Sequence, residues 1–125
     1  PVRGYSHFTQ YLGNANADCS MCVFTGFEPS LLMIKETDSG SGWVMHDNKR
    51  PAINPGYYNP NTNFLQANDT GVESPNANLS IDFLSNGFKI RNAAGDTNGN
   101  GNHYSVMAFA SNPMIGNNGT PGVAR

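Results

Sequence analysis

Turn-forming residues punctuate this chain from end to end, and that punctuation limits how long any regular element can run. Asn occurs 18 times, Gly 14 times and Pro 8 times in 125 residues. Gly and Asn tolerate positive φ, and Pro fixes its own φ, so a chain this rich in them is mostly turns joining short elements. Helix formers are scarce and scattered. The fold class predicted is all-β: short antiparallel strands closed into a two-sheet β-sandwich of jelly-roll type, built as one domain.

Gly and Asn also take the place of charge. Charged residues make up 13% of the chain, about half the usual share of ~25%, and the net charge is -2. A nucleic-acid interface needs a basic face to displace counterions from phosphate, and 7 Lys+Arg against 9 Asp+Glu do not supply one. Apolar runs such as residues 31–34 fall far short of the ~18 residues that cross a bilayer. No nucleic-acid partner and no membrane insertion are therefore expected, and no signal-peptide pattern is present.

The strands are read from alternation. Residues 2–12 read as a first strand with Tyr5, His7, Thr9 and Tyr11 on one face. Residues 21–27 suggest a short second strand. The continuous apolar run at 30–35 predicts a central strand buried on both faces. Trp43–Asp47 sets Trp43, Met45 and Asp47 against Val44 and His46. Residues 48–63, with Pro51, Pro55 and Pro60, cannot be a central strand because Pro removes ladder donors. Residues 63–67 and 70–73 suit short edge strands. Residues 79–92 predict an antiparallel hairpin, with Leu79, Ile81, Phe83, Phe88 and Ile90 inward. Its turn is Ser85-Asn86-Gly87, where Asn-Gly fits a type I′ turn. Residues 93–102 read as a polar loop, and His103–Ala110 as the last long strand in a central position. The sandwich is assigned to 1–111. Residues 112–125 form an extended tail expected to lay Met114, Ile115 and Val123 on the domain or on a neighbour.

A family likeness is carried by an ordered set of segments. These are DFLSNGFKIRN at 82–92, a Gly/Asn loop, and YSVMAFASNP at 104–113. Tyr11-Leu12-Gly13-Asn14, Gly26-Phe27-Glu28-Pro29, Trp43 with Asp47-Asn48-Lys49-Arg50, and the Ala124-Arg125 ending also match. Together they resemble the C-terminal jelly-roll domains, similar to concanavalin-A and laminin-G folds, of tailed-phage tail-fibre and appendage proteins. The likeness runs from about Tyr11 to the end of the chain. It implies a virion structural protein at the virion surface, with no catalytic residues and no cofactor. The implied partners are other virion subunits, a symmetric homo-oligomer with a trimer favoured, and a host-surface glycan. A capsid decoration or cement protein is the alternative within that class. A small carbohydrate-active enzyme is the competing class. Cys19, Cys22 and residues 51–60 depart from the pattern.

The binding candidate is the loop at 54–63. Tyr57 and Tyr58 carry flat apolar faces with polar tips, which stack on sugars or anchor interfaces. Asn59, Asn61 and Asn63 offer paired donors and acceptors for hydroxyls. Trp43 adds a platform if its ring is exposed. Protein packing through the same residues is the blander reading. Asp96, Asn98 and Asn100 resemble the first half of a calcium loop, but the position that would carry the bidentate Glu is Met107, so a plain Asn/Gly loop is expected. Cys19 and Cys22 form a C-x-x-C without a following helix pattern, which reads as structural thiols rather than a redox or zinc site. A Ser-His-Asp set would draw on Ser105 with His103 or His46, and no nucleophile-elbow motif accompanies them.

Overall fold

The computed structural model describes residues 1–18, 21–50 and 59–113. The chain forms β1 (Ser6–Leu12), β2 (Cys22–Phe24), β3 (Pro29–Glu36), β4 (Trp43–Asp47), β5 (Asn63–Gln66), β6 (Ser74–Pro75), β7 (Ile81–Leu84), β8 (Gly87–Ile90) and β9 (His103–Ala110). A 3-10 turn at Ala77–Leu79 precedes β7, and α1 (Gly95–Asn98) is a single helical turn before β9.

One sheet has the order β1-β9-β3-β4-β5-β6 and the other β2-β8-β7, with every named pair antiparallel. The chain passes between sheets before and after β2, before β7 and before β9. This returning path makes the β-sandwich jelly-roll-like and sets the first strand beside the last. Leu32, Ile34, Val44, Tyr104, Val106 and Ala108 of the large sheet are buried, as are Ile81, Phe83, Phe88 and Ile90 of the small one. The 79–92 hairpin and β9 therefore lie in opposing layers and meet across the core, not side by side.

Trp43–Asp47 and His103–Ala110 are strands with the expected bounds. Several other expectations need correction. β1 begins at Ser6, because Val2–Ser6 closes on itself through hydrogen bonds from Tyr5 N and Ser6 N to Val2 O. β3 is central but is fully buried on one face only: Leu32 and Ile34 are enclosed, whereas Leu31 and Met33 are partly covered. The second short edge strand falls at Ser74–Pro75 rather than at 70–73.

The hairpin turn also differs. Leu84 pairs with Gly87, so Ser85 and Asn86 are the central residues, and neither has positive φ. Gly87 is needed for another reason. A Cβ there would sit 2.0 Å from the Val23 carbonyl oxygen, so only glycine lets β8 approach β2.

The outer face of the large sheet follows from the register. Phe8 pairs with Met107, Met107 with Met33, Met33 with Met45, and Met45 with Leu65. Directly paired residues share a face. These five side chains thus form one apolar row across five strands, on the side away from the core. Phe8 is 47% exposed, and the other four are partly exposed.

Candidate functional site

The two ends of the sandwich gather the polar side chains. The first end is where β1 and β3 finish and β9 begins, with Leu12 opposite His103 and Glu36 opposite Tyr104. Here the 93–102 segment is not the plain loop expected from sequence. Its helical turn inserts Thr97 and Asn98, both fully buried. Asn98 Oδ1 accepts from Asn14 N at 2.9 Å, and Nδ2 donates to Asn92 O at 2.7 Å and to Asn14 Oδ1 at 3.2 Å. Asn92 Oδ1 accepts from Thr97 Oγ1 at 2.9 Å and from Ala94 N at 3.0 Å, while its Nδ2 donates to Ser80 O at 3.0 Å.

Two tyrosines floor this plug. Tyr11 and Tyr104 stack with centroids 4.9 Å apart. Tyr11 donates to Thr97 O at 2.5 Å, and Tyr104 donates to Gly95 O while accepting from Gly99 N at 2.7 Å. Burial raises the pKa of Tyr11 well above its ordinary value, with neighbouring Tyr104 adding to the shift. Beside them Glu36 is 2% exposed. Its carboxylate accepts from Ser39 Oγ at 2.5 Å, from Ser41 Oγ, and from Asn102 Nδ2 at 2.6 Å. The Ser39 and Ser41 hydroxyls hold its pKa below the usual carboxyl value despite burial.

The second end holds His46, Asp47, Asn48, Arg50, Asn61, Asn63 and Glu73. Asp47 Oδ1 accepts from Lys49 N and Arg50 N, each at 2.9 Å, and its other oxygen pairs with Arg50 Nε. Partial burial raises the Asp47 pKa, but the Lys49 and Arg50 donors outweigh it and leave it lowered. Arg50 also reaches Glu73 at 3.4 Å, and Asn63 Nδ2 donates to Glu73 at 2.8 Å. His46 is fully buried. Its Nδ1 lies 3.1 Å from Asn63 O, and because a carbonyl only accepts, Nδ1 carries the proton. Nε2 then presents a bare lone pair with no hydrogen-bond partner among the described residues. Burial lowers the His46 pKa to about 4.

Among the described residues, the candidate sugar-binding side chains of Asn59, Asn61, Asn63 and Trp43 do not converge. Tyr57 and Tyr58 lie outside the described residues. Asn59 turns its amide onto β7, with Nδ2 to Phe83 O and Oδ1 from Phe83 N, both at 2.7 Å. Asn61 is fully buried, and its amide joins Asp47 O to Asn63 N. It therefore meets the chain itself rather than a ligand. Asn63 faces Glu73, and Trp43 lies partly exposed on the outer face of the large sheet, opposite Lys35.

The calcium-like residues do not converge either. Asn98 is buried with its oxygen occupied, Asp96 is partly exposed and Asn100 is exposed. Among the described residues, no group of three or more His, Cys, Asp or Glu is placed to hold a metal ion. Cys22 is exposed on β2, and its C-x-x-C partner Cys19 lies outside the described residues. His103 pairs with Asp38 at 2.9 Å, and the His103 backbone N–H and ring hold the Asp38 pKa below its usual value. Among the described residues, no serine hydroxyl is hydrogen-bonded to the His103 ring.

Sequence reasoning missed the buried roles of Glu36, Asn92 and Asn98. The only local signal is their company: Ser39 and Ser41 close after Glu36, and Asn-rich stretches around Asn14 and Asn98. Residues 1–113 match a domain of unknown function, DUF7483, and the chain belongs to that family. No curated protein and no solved structure matches the chain.

Proposed function

We propose that this member of the DUF7483 family is a non-enzymatic structural protein of a tailed-phage virion. In this reading it is a fibre or appendage domain displayed at the virion surface, where its loops meet a host-surface glycan or another virion subunit. The observation that supports the reading is where the buried polar groups go. Asn98, Asn92, Glu36 and Asn61 spend their hydrogen bonds fixing the irregular connections of the sandwich. Loops held in one conformation lose little entropy on binding, and rigid scaffolds carrying such loops are a common way to present contact residues. The likeness of segments 82–92 and 104–113 to phage appendage domains supplies the virion setting.

A capsid decoration role is favoured by one separate observation, the apolar row on the outer face of the large sheet, which suits a protein neighbour. The tests separate these readings. Gold-labelled antibody against the protein should mark assembled virions in electron micrographs, at fibres for the first reading and over the shell for the second. Particles that carry no label would overturn both. A glycan array probed with multivalent protein should show selective binding, and a blank array removes glycan recognition. Polysaccharide turnover abolished by replacing one carboxylate would overturn the non-enzymatic assignment.

A further inference from the structure

We propose that the free edge of β1 pairs antiparallel with the same edge of a second copy of this chain, over Phe8–Leu12, with Gln10 opposite Gln10. A strand at a sheet edge presents unpaired backbone N–H and C=O groups, and folds blunt such edges with short strands, Pro, charge or a covering segment. Among the described residues, three of the four edges of this sandwich are blunted. β6 is two residues long and ends in Pro75, and β2 is three residues long. β7 is covered from outside: Asn61 N donates to Ile81 O at 2.7 Å, and Ile81 N to Asn61 O at 3.0 Å. Further along β7, the Asn59 side-chain amide takes the place of a neighbouring strand, donating to Phe83 O and accepting from Phe83 N.

β1 has none of these devices. It is seven residues long, holds no Pro, Lys, Arg, Asp or Glu, and keeps an unbroken register with β9. That register decides which backbone groups are open. Tyr5 O accepts from Ala110 N, and Gly13 N donates to Asn102 O, so the odd-numbered residues between them bond to β9. The even-numbered residues turn their N–H and C=O to the open side. Ser6 N is closed by Val2 O at 2.8 Å. Past Leu12 the chain turns away, with Asn14 N and Ala15 N bonded to Asn98. The open groups are those of Phe8, Gln10 and Leu12. Among the described residues they receive only a 3.5 Å contact from Thr9 Oγ1 to Gln10 O.

This stretch matches itself. An antiparallel pairing of a strand with its own copy has two-fold symmetry, the isologous arrangement of a closed dimer. Centred on Gln10, it sets Phe8 of each copy opposite Leu12 of the other, and every open N–H and C=O of Phe8, Gln10 and Leu12 meets a partner. Phe8 and Leu12 are 47% and 49% exposed and share a face, so each covers the other across the join. The nearest charges along the chain are Arg3 before the stretch and Asp18 after it. Antiparallel pairing brings the end that carries Arg3 beside the end that carries Asp18, so like charges are not driven together. The inference does not rest on the virion reading, and it gives a two-fold pair in place of the trimer that the family likeness implies.

Sedimentation equilibrium over about 1–500 μM tests it, since mass action sets the dimer fraction. The expected mass rises from the 13.4 kDa of one chain to twice that value. Amide hydrogen exchange over the same range should slow at Phe8, Gln10 and Leu12 as the dimer forms. The Gln10 side chain is exposed, so Gln10→Lys and Gln10→Glu leave the core untouched. Each variant alone sets like charges opposite one another at the two-fold and should raise the midpoint concentration about 5-fold. An equimolar mixture of the two should return it to the wild-type value or below, with the larger recovery at low salt. A mass of one chain at every concentration would overturn the proposal. So would a trimer, a dimer indifferent to both substitutions, or protection of the three amides that is already present in the monomer or gained only when a different protein is added.

Discussion

The two ends of the sandwich bury similar polar chemistry and balance it differently. At the Asn98 end, the buried amides and Glu36 each find partners with good geometry. At the His46 end, two buried atoms, His46 Nε2 and Asn48 Oδ1, have none among the described residues. A satisfied network fixes one conformation, whereas an unsatisfied buried group carries a desolvation cost that nothing offsets. The first end is therefore a structural plug, and the second is where stability responds to pH and substitution in unusual directions.

The largest expected effect breaks the plug. Asn98→Ala leaves Asn14 N and Asn92 O without their side-chain partner and should cost about 3 kcal/mol in denaturant unfolding. Loss of under ~1 kcal/mol would mean that the helical turn is held by its backbone contacts alone, and the contrast between the ends would disappear.

The next concerns pH. The His46 pKa in the folded protein is about 4, below its ordinary 6.5. Between these values the unfolded chain binds more protons than the folded one, so stability rises with pH. The contribution is complete above about pH 6.5 and falls away as pH drops to about 4, by about 3 kcal/mol at ~1.4 kcal/mol per pKa unit. Unfolding curves at pH 7 and pH 4.5 measure it. His46→Phe removes both the orphaned lone pair and the Nδ1 bond. It should flatten this dependence while costing under ~1 kcal/mol at pH 7.

Glu36→Gln sharpens the comparison from the other end. The lowered Glu36 pKa stabilises the fold above the usual 4.5, and that contribution is lost as pH falls through the lowered value. Its window thus lies on the acid side of that of His46. The substitution should cost about 1 kcal/mol at pH 7 and flatten only the more acid part of the curve. The smallest effect belongs to Asn48. Among the described residues its Nδ2 makes only long bonds of 3.5 Å, to Pro29 O and Ser111 Oγ. Asn48→Ala should therefore change stability by under ~1 kcal/mol, and a larger loss would reveal a partner for Oδ1.

Period-two alternation was readable wherever a strand had one buried face. Trp43–Asp47 needed only Val44 and His46 alternating with Trp43 and Met45, and β7 with β8 needed only Ile81, Phe83, Phe88 and Ile90. The reading failed where a neighbour distant in sequence set the conformation. Gly87 looks like a turn residue beside Asn86, yet what it accommodates is the Val23 carbonyl. Asn98 looks like a loop residue or a cation ligand, yet its partners, Asn14 and Asn92, come from other segments. Asn61 looks like an exposed hydroxyl-binding amide, yet it bridges two stretches of backbone.

The sequence by itself determined the class of fold, because turn residues and strand alternation are local and act through backbone geometry and the separation of apolar from polar faces. It also determined which side chains form each face. Only the tertiary structure decided how the faces align. The placing of Met33, Met45 and Met107 in one row depends on the register between strands far apart in the chain. So does the choice of which asparagines are buried, because a polar side chain is enclosed only where distant backbone groups arrive to satisfy it.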